Sequence, residues 1–204
     1  QTQAMEIVAL AGGVGASKLL LGMTRVMDAR ALTIVVNTGD DLVLHGLSIS
    51  PDLDIVTYTL AGAVNQKMGW GLRGDKFTAL EILRRYGRED WFHLGDRDLA
   101  THIHRTALLR SGATLTEATD AIRRAWGVEA RILPMSDTPV PTLIGTEIGV
   151  IHFQEYLVKH RTELPVKEII FDGVHAARPA PGVLEAIAAA QESLFSGEEG
   201  REGI

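Results

Sequence analysis

The sequence predicts a doubly wound α/β domain: a Rossmann-like parallel sheet with a helical insertion and a small antiparallel excursion. Three observations predict it. The chain opens on an apolar run that ends in glycines, continues into an amphipathic stretch, and returns to a β-branched run. A long block between Asp52 and Gly127 then carries helix periodicity and helix-end signals, and after it the pattern changes to short strand-like runs.

In order, EIVALAGG (Glu6 to Gly13) reads as a strand closing on a tight turn, and ASKLLLGMTRVM places Leu19, Leu20, Met23, Val26 and Met27 at helical spacing. ALTIVVN (Ala31 to Asn37) is buried on both faces if the sheet is parallel, so the opening is a βαβ unit. After an acidic loop, DLDIVTYTLAG is expected to be helical with Asp52 near its N-cap. DKFTALEILRRYG (Asp75 to Gly87) is an amphipathic helix closed by glycine, and Asp96 to Leu109 forms another. Thr114 and Glu117 stand at capping-box spacing ahead of a helix ending at Gly127. VEARILP, PTLIGTE, VIHFQEYLV and VKEIIFDG read as strands, the middle two as a hairpin, with the antiparallel excursion preceding the final strand. PGVLEAIAAAQ is a closing helix with Pro181 near its start. The expected organisation is one domain over residues 5–195, with the insertion at about 52–127. Residues 1–4 read as a tag remnant or ragged start, and 196–204 as a polar tail.

Composition bounds the function. At 204 residues and 46% apolar content the chain can bury a substantial single core. Its net charge of -6 argues against a broad attraction to nucleic acid or anionic membrane, so an anion has to be bound locally. Without cysteine there is no thiolate metal site or thiol nucleophile. No apolar run approaches the roughly 20 residues that span a bilayer, and the expected location is the cytoplasm.

The densest chemistry lies in NTGDDLVLHGLSISPDLD, where Asp40, Asp41, Asp52 and Asp54 fall within fifteen residues straight after an apolar strand. Facing a turn at Gly12, Gly13 and Gly15, such a loop suits a polyphosphate, a divalent cation and an incoming hydroxyl. Glycines let backbone N–H groups approach an anion, and the following helix N-terminus adds positive potential. AGGVGASK meets neither the P-loop pattern nor the full dinucleotide fingerprint, because Lys18 stands where the third glycine belongs. Lys18 reads equally as a phosphate partner or a solvated lysine. FHLGDRDLATHIHR (Phe92 to Arg105) is rich in charge and imidazole. His102 lies four residues after Asp98 and shares a helix face with Arg105, and His93 is a candidate hydrogen-bond donor. Trp70, between glycines, reads either as a stacking platform for a planar ligand or as a core anchor. Asp137 reads as a turn residue, with a purine edge as the alternative partner.

Taken together, AGGVGASKLLLG, VVNTGDDLVLHGLSISPDLD, WGLRGDKF, FHLGDRDLATHIHR, ILPMSDTPV and IHFQEYLV resemble the 2-phospho-L-lactate transferase family of coenzyme F-420 biosynthesis, in order and spacing from about Glu6 to Ala190. The resemblance implies transfer of a 2-phospholactyl or phosphoenolpyruvyl group from a guanosine diphospho donor to the deazaflavin alcohol Fo, with release of GMP. It implies magnesium as cofactor and a homodimer. It places Asp54 and His93 at the Fo site, with Asp54 also the catalytic candidate, and Gly12, Gly13, Val14 and Gly15 at the donor diphosphate. Asp40, Asp41 and Asp52 are then the metal candidates. Family members run on beyond the position of Ala190, so the chain is expected to be a fragment lacking the C-terminal third. The competing reading is a non-enzymatic sister branch that binds nucleotide sugars. A nicotinamide-dependent oxidoreductase is more distant, since Asn37 stands where an acidic residue would close the second strand.

Overall fold

A computed structural model describes residues 5–196. The expected start at residues 1–4 and the tail from 197 lie outside the described residues.

Three strands form the parallel sheet, β1 (Ile7–Ala11), β2 (Leu32–Val36) and β5 (Arg131–Pro134), in the order β1-β2-β5. β2 is central and buried at every position, as its unbroken β-branched run requires. Alternate side chains of the sheet feed two layers. On one face Leu32, Ile34, Val36 and Ile132 pack with Leu20 of α1 (Val14–Met23) and with Leu53 and Val56 of α2 (Pro51–Leu60). On the other, Val35 and Leu133 pack with Ala180 and with Val183 of α6 (Val183–Ser196). Each fully buried Leu, Ile or Val contributes about 1.5–3 kcal/mol of transfer free energy, so these two layers dominate the core. The fold is therefore doubly wound, with helices on both faces of the sheet.

Between β2 and β5 the chain makes a hairpin and four helices. β3 (Leu42–Leu44) and β4 (Leu47–Ile49) pair antiparallel around His45 and Gly46, both at positive φ, the signature of a two-residue mirror-image turn. This hairpin lies inside the stretch read from sequence as a loop. α2 follows with Ser50 as N-cap and Pro51 opening the helix. α3 (Thr78–Arg85) begins three residues later than the sequence pattern suggested, and α4 (Asp96–Arg110) follows. The two helices cap each other. Asp75 accepts from the Arg97 and Asp98 amides of α4, and Asp96 accepts from the Thr78 and Ala79 amides of α3. α5 (Leu115–Ala125) has the expected capping box of Thr114 and Glu117, and Gly127 closes it at φ 68°.

β6 (Thr142–Thr146) pairs antiparallel with β7 (Gly149–His152), as expected for the hairpin. Two expectations are corrected here. The second half of VIHFQEYLV is a helical turn over Glu155–Lys159 rather than strand. β8 (Glu168–Phe171), expected after the excursion, belongs to it, pairing antiparallel with β6. This second sheet is bonded to the acidic loop: Thr142 donates its amide to Gly39, and the His152 Nε2–H donates to the Asp41 carbonyl at 3.0 Å. Among the described residues, no helix is long and apolar enough to cross a membrane.

Candidate functional site

The glycine turn and the acidic segment meet. Gly13 is the N-cap of α1, which has no side-chain cap, so the first amides of that helix are left for another acceptor. A Cβ on Gly13 would come within 2.7 Å of Asp52 Oδ1, so a larger residue here would displace the carboxylate. Asp52 sits in the first turn of α2, and its other oxygen, Oδ2, accepts from Asn37 Nδ2 at 3.0 Å. Asn37 in turn accepts the Gly39 amide through Oδ1, which fixes the loop leaving β2. Asp40 accepts from Gln154 Nε2 at 2.9 Å. Burial raises the pKa of both Asp40 and Asp52 above the usual carboxylate range, and the charge of Asp40 adds to the effect on Asp52.

A cavity of about 490 Å³ opens in front of these groups. Its wall includes Gly13, Val14, Asp40, Asp52, Asp54, Asp98, Trp70 and His93, so residues from α1, the loop after β2, α2, α4 and the segments before α3 and α4 share one space. Trp70 lies in a glycine-flanked turn, with Gly69 and Gly71 both at positive φ. Its indole and the His93 ring are stacked at a centroid distance of 6.4 Å and 29°, and Phe77 meets both rings. Trp70 thus stands exposed on the cavity wall as part of an aromatic cluster.

Behind the wall lies a charged network that joins α2 to the Asp98, His102 and Arg105 face of α4. Asp54 and Arg105 are buried, at 5% and 2% exposure, and Arg105 Nη2 donates to Asp54 Oδ1. Arg105 Nη1 donates to the Ser48 carbonyl of β4 at 3.2 Å and lies 3.3 Å from His102 Nδ1. His102 stands between two carboxylates, with Nδ1 3.6 Å from Asp54 Oδ2 and Nε2 3.4 Å from Asp98 Oδ2. The Tyr58 hydroxyl donates to Asp98 Oδ1 and sits 2.7 Å from Thr101 Oγ1. Burial pushes the Asp54 carboxyl upward, and the Arg105 charge opposes it. Burial is the largest influence on Asp98 and acts to raise it, but His102, the Tyr58 hydroxyl and the Arg105 charge together outweigh it and hold that carboxyl low. Asp54, Asp98 and His102 offer ligand atoms within 4.8 Å of one another, close enough for a metal. The Arg105 guanidinium already supplies positive charge there.

Not every candidate reaches this cavity. Asp41 turns to the other side of its loop, where it lines a second cavity of about 450 Å³ and accepts from Ser50 Oγ at 2.7 Å. Its Oδ1 is buried without a hydrogen-bond partner, and burial raises its pKa to about 8. Gly12 lies behind Gly13, its Cβ position 3.8 Å from Asp52 Oδ2, while Gly15 and Lys18 are exposed on α1 and absent from the cavity wall. Asp137 accepts from the amide and hydroxyl of Thr116, so its side chain serves the first turn of α5.

The profile of the family described as 2-phospho-L-lactate transferase CofD matches residues 7–195. The phosphoenolpyruvate transferase of Streptomyces avermitilis is 44% identical over 196 residues, covering 94% of this chain and 61% of that protein. The 2-phospho-L-lactate transferase of Methanosarcina mazei is 42% identical over 180 residues, covering 88% and 59%. The chain thus spans about three fifths of the length of these curated relatives. In shape it is similar to a UPF0052-family protein from Bacillus halodurans, with a TM-score of 0.57 at 16% identity, over 93% of this chain and 57% of that one. With its profile matched along almost its whole described length, the chain belongs to the 2-phospho-L-lactate transferase family.

Proposed function

We propose that the protein transfers a 2-phospholactyl or phosphoenolpyruvyl group from a guanosine diphospho donor to the deazaflavin alcohol Fo, releasing GMP, in coenzyme F-420 biosynthesis. The observation that carries this reading is the single cavity in which the α1 N-terminus, Asp40, Asp52, Asp54, His93 and Trp70 converge. A terminal hydroxyl of Fo attacks the phosphorus that bears the lactyl or enolpyruvyl group. The new P–O bond forms as the bond to the bridging oxygen breaks, and GMP departs with that oxygen.

The open amides around Gly13 and Val14 hold the diphosphate, while Trp70 and His93 fix the planar ring system of Fo. Asp54 accepts the hydroxyl proton and orients the attacking oxygen. Asp40 and Asp52 are the residues that would hold magnesium, because two raised, desolvated carboxylates beside an anion site gain most from a divalent cation. When bound, the ion supplies charge neutralisation on the transferred group and the leaving phosphate. This assignment makes the protein a magnesium-dependent transferase of substituted phosphate groups. A cytoplasmic homodimer carries over from the resemblance. Incubating the protein with Fo, magnesium and each donor, and following GMP by mass, tests the reading. Release of GMP only when Fo is present supports it, and tight binding of a nucleotide sugar without turnover would replace it with the regulatory one.

A further inference from the structure

We propose that Arg105 is the positioning residue of the acceptor site, with His102 as its helper: together they set the direction in which Asp54 presents its carboxylate to the substrate hydroxyl. This rests on the function proposed above.

Four observations lead to it. Asp54 is both buried and part of the cavity wall, so its rotamer decides what the cavity offers a ligand. Arg105 engages Oδ1 alone, and Oδ2, buried and without a hydrogen-bond partner, faces His102 Nδ1 at 3.6 Å, so guanidinium and imidazole together bound the carboxylate's orientation. Arg105 is itself immobilised by the Ser48 carbonyl, so the guanidinium cannot follow Asp54 if the carboxylate rotates. His102 then couples Asp54 to Asp98, the other cavity-lining carboxylate on this side, which Tyr58 holds in place.

Stability gives a poor account of such a network. A buried ion pair roughly balances its desolvation cost, and well-packed apolar residues would serve a core as well. What the pair does supply is a fixed direction for one carboxylate, since a planar guanidinium is less forgiving of misplacement than an ammonium. A shift of the reacting group by about 1 Å costs on the order of a hundredfold in rate.

The test uses Arg105→Lys, which keeps the charge and loses the planar geometry, and His102→Gln, which leaves the Arg105–Asp54 pair in place. A crystal structure of Arg105→Lys is expected to show Asp54 in a different rotamer. Steady-state kinetics with Fo are expected to show kcat reduced by about ten- to a hundredfold, with KM for Fo changed much less. His102→Gln is expected to show a smaller fall in kcat, again with KM held. Two results overturn the proposal: Asp54 unmoved in the Arg105→Lys crystal, or wild-type kcat in either variant. If Arg105→Lys does not fold, His102→Gln decides by the same two readouts. Should the wild-type protein release no GMP with Fo, the functional reading fails, and the Asp54 rotamer still decides whether Arg105 positions it.

Discussion

Two cavities of nearly equal volume, about 490 and 450 Å³, lie on either side of the loop from Asn37 to Asp41, and two adjacent aspartates face one each. Asp40 looks into a space shared with Asp52, Asp54, Asp98 and the open end of α1. Asp41 looks into one walled mainly by Leu42, Ile49, Leu109, Leu115, Val140 and the prolines 139 and 141. Volume does not separate the two spaces, but the company of the carboxylates does. In the first, each acid has a fixed polar partner, from Asn37 for Asp52, Gln154 for Asp40, Arg105 for Asp54 and Tyr58 for Asp98. In the second, Asp41 is bonded to Ser50 through one oxygen but keeps the other buried and unpaired, and burial holds its carboxyl protonated to near-alkaline pH. Burial opposes charge on acids of both spaces, while Asp98, in the first, is held low by its partners.

The widest split between the two sides is expected from Asp54→Asn, which should lower turnover by about a thousandfold or more. Because it also leaves the Arg105 charge buried without its partner, thermal unfolding should reveal a loss of about 3–5 kcal/mol. A folded variant with near-normal GMP release would remove Asp54 from the mechanism. A smaller separation is expected in metal response. Asp52→Asn should raise the magnesium concentration for half-maximal rate by about tenfold, whereas Asp41→Asn should leave it where it is. Equal shifts in the two titrations would erase the distinction between the two aspartates.

The smallest effect concerns stability alone. Asp41 has a folded pKa of about 8, above its ordinary value, so the folded state binds the proton more tightly than the unfolded one. Its contribution is complete below the unfolded pKa, near 4, and is lost as pH rises from there through about 8. Asp41→Asn cannot ionise, so it should melt higher than wild type at pH 8 by about 4 °C or more and converge with it toward pH 4. Parallel melting curves across that range would show that Asp41 is already charged in the folded protein.

Much of the frame was legible because its signals are local. The glycine turn before α1, the β-branched run of β2 and the Thr114–Glu117 box each act within one element. The hairpin from Leu42 to Ile49 was equally local, in the alternation LVL-HG-LSI, and was obscured by the acidic residues around it. The helical turn at 155–159 was lost because a short apolar run fits either period. Long-range partners were another matter. Nothing near Asp54 in the sequence points to Arg105, fifty-one positions away, nor does anything at Asp40 announce Gln154. The opposite facing of Asp40 and Asp41 follows from backbone geometry that the antiparallel sheet imposes through Gly39 and the Asp41 carbonyl.

The exchange of caps between α3 and α4 has its own result. Neither helix can fray at its start without stripping the acceptor from the other, so the two ends must loosen in one event. Phe77 and His93 stand just ahead of those ends, and Asp98 lies within the first turn of α4. The aromatic entrance and one acid of the chamber behind it therefore share a single latch, and amide protons along both starts should exchange with solvent at a common rate.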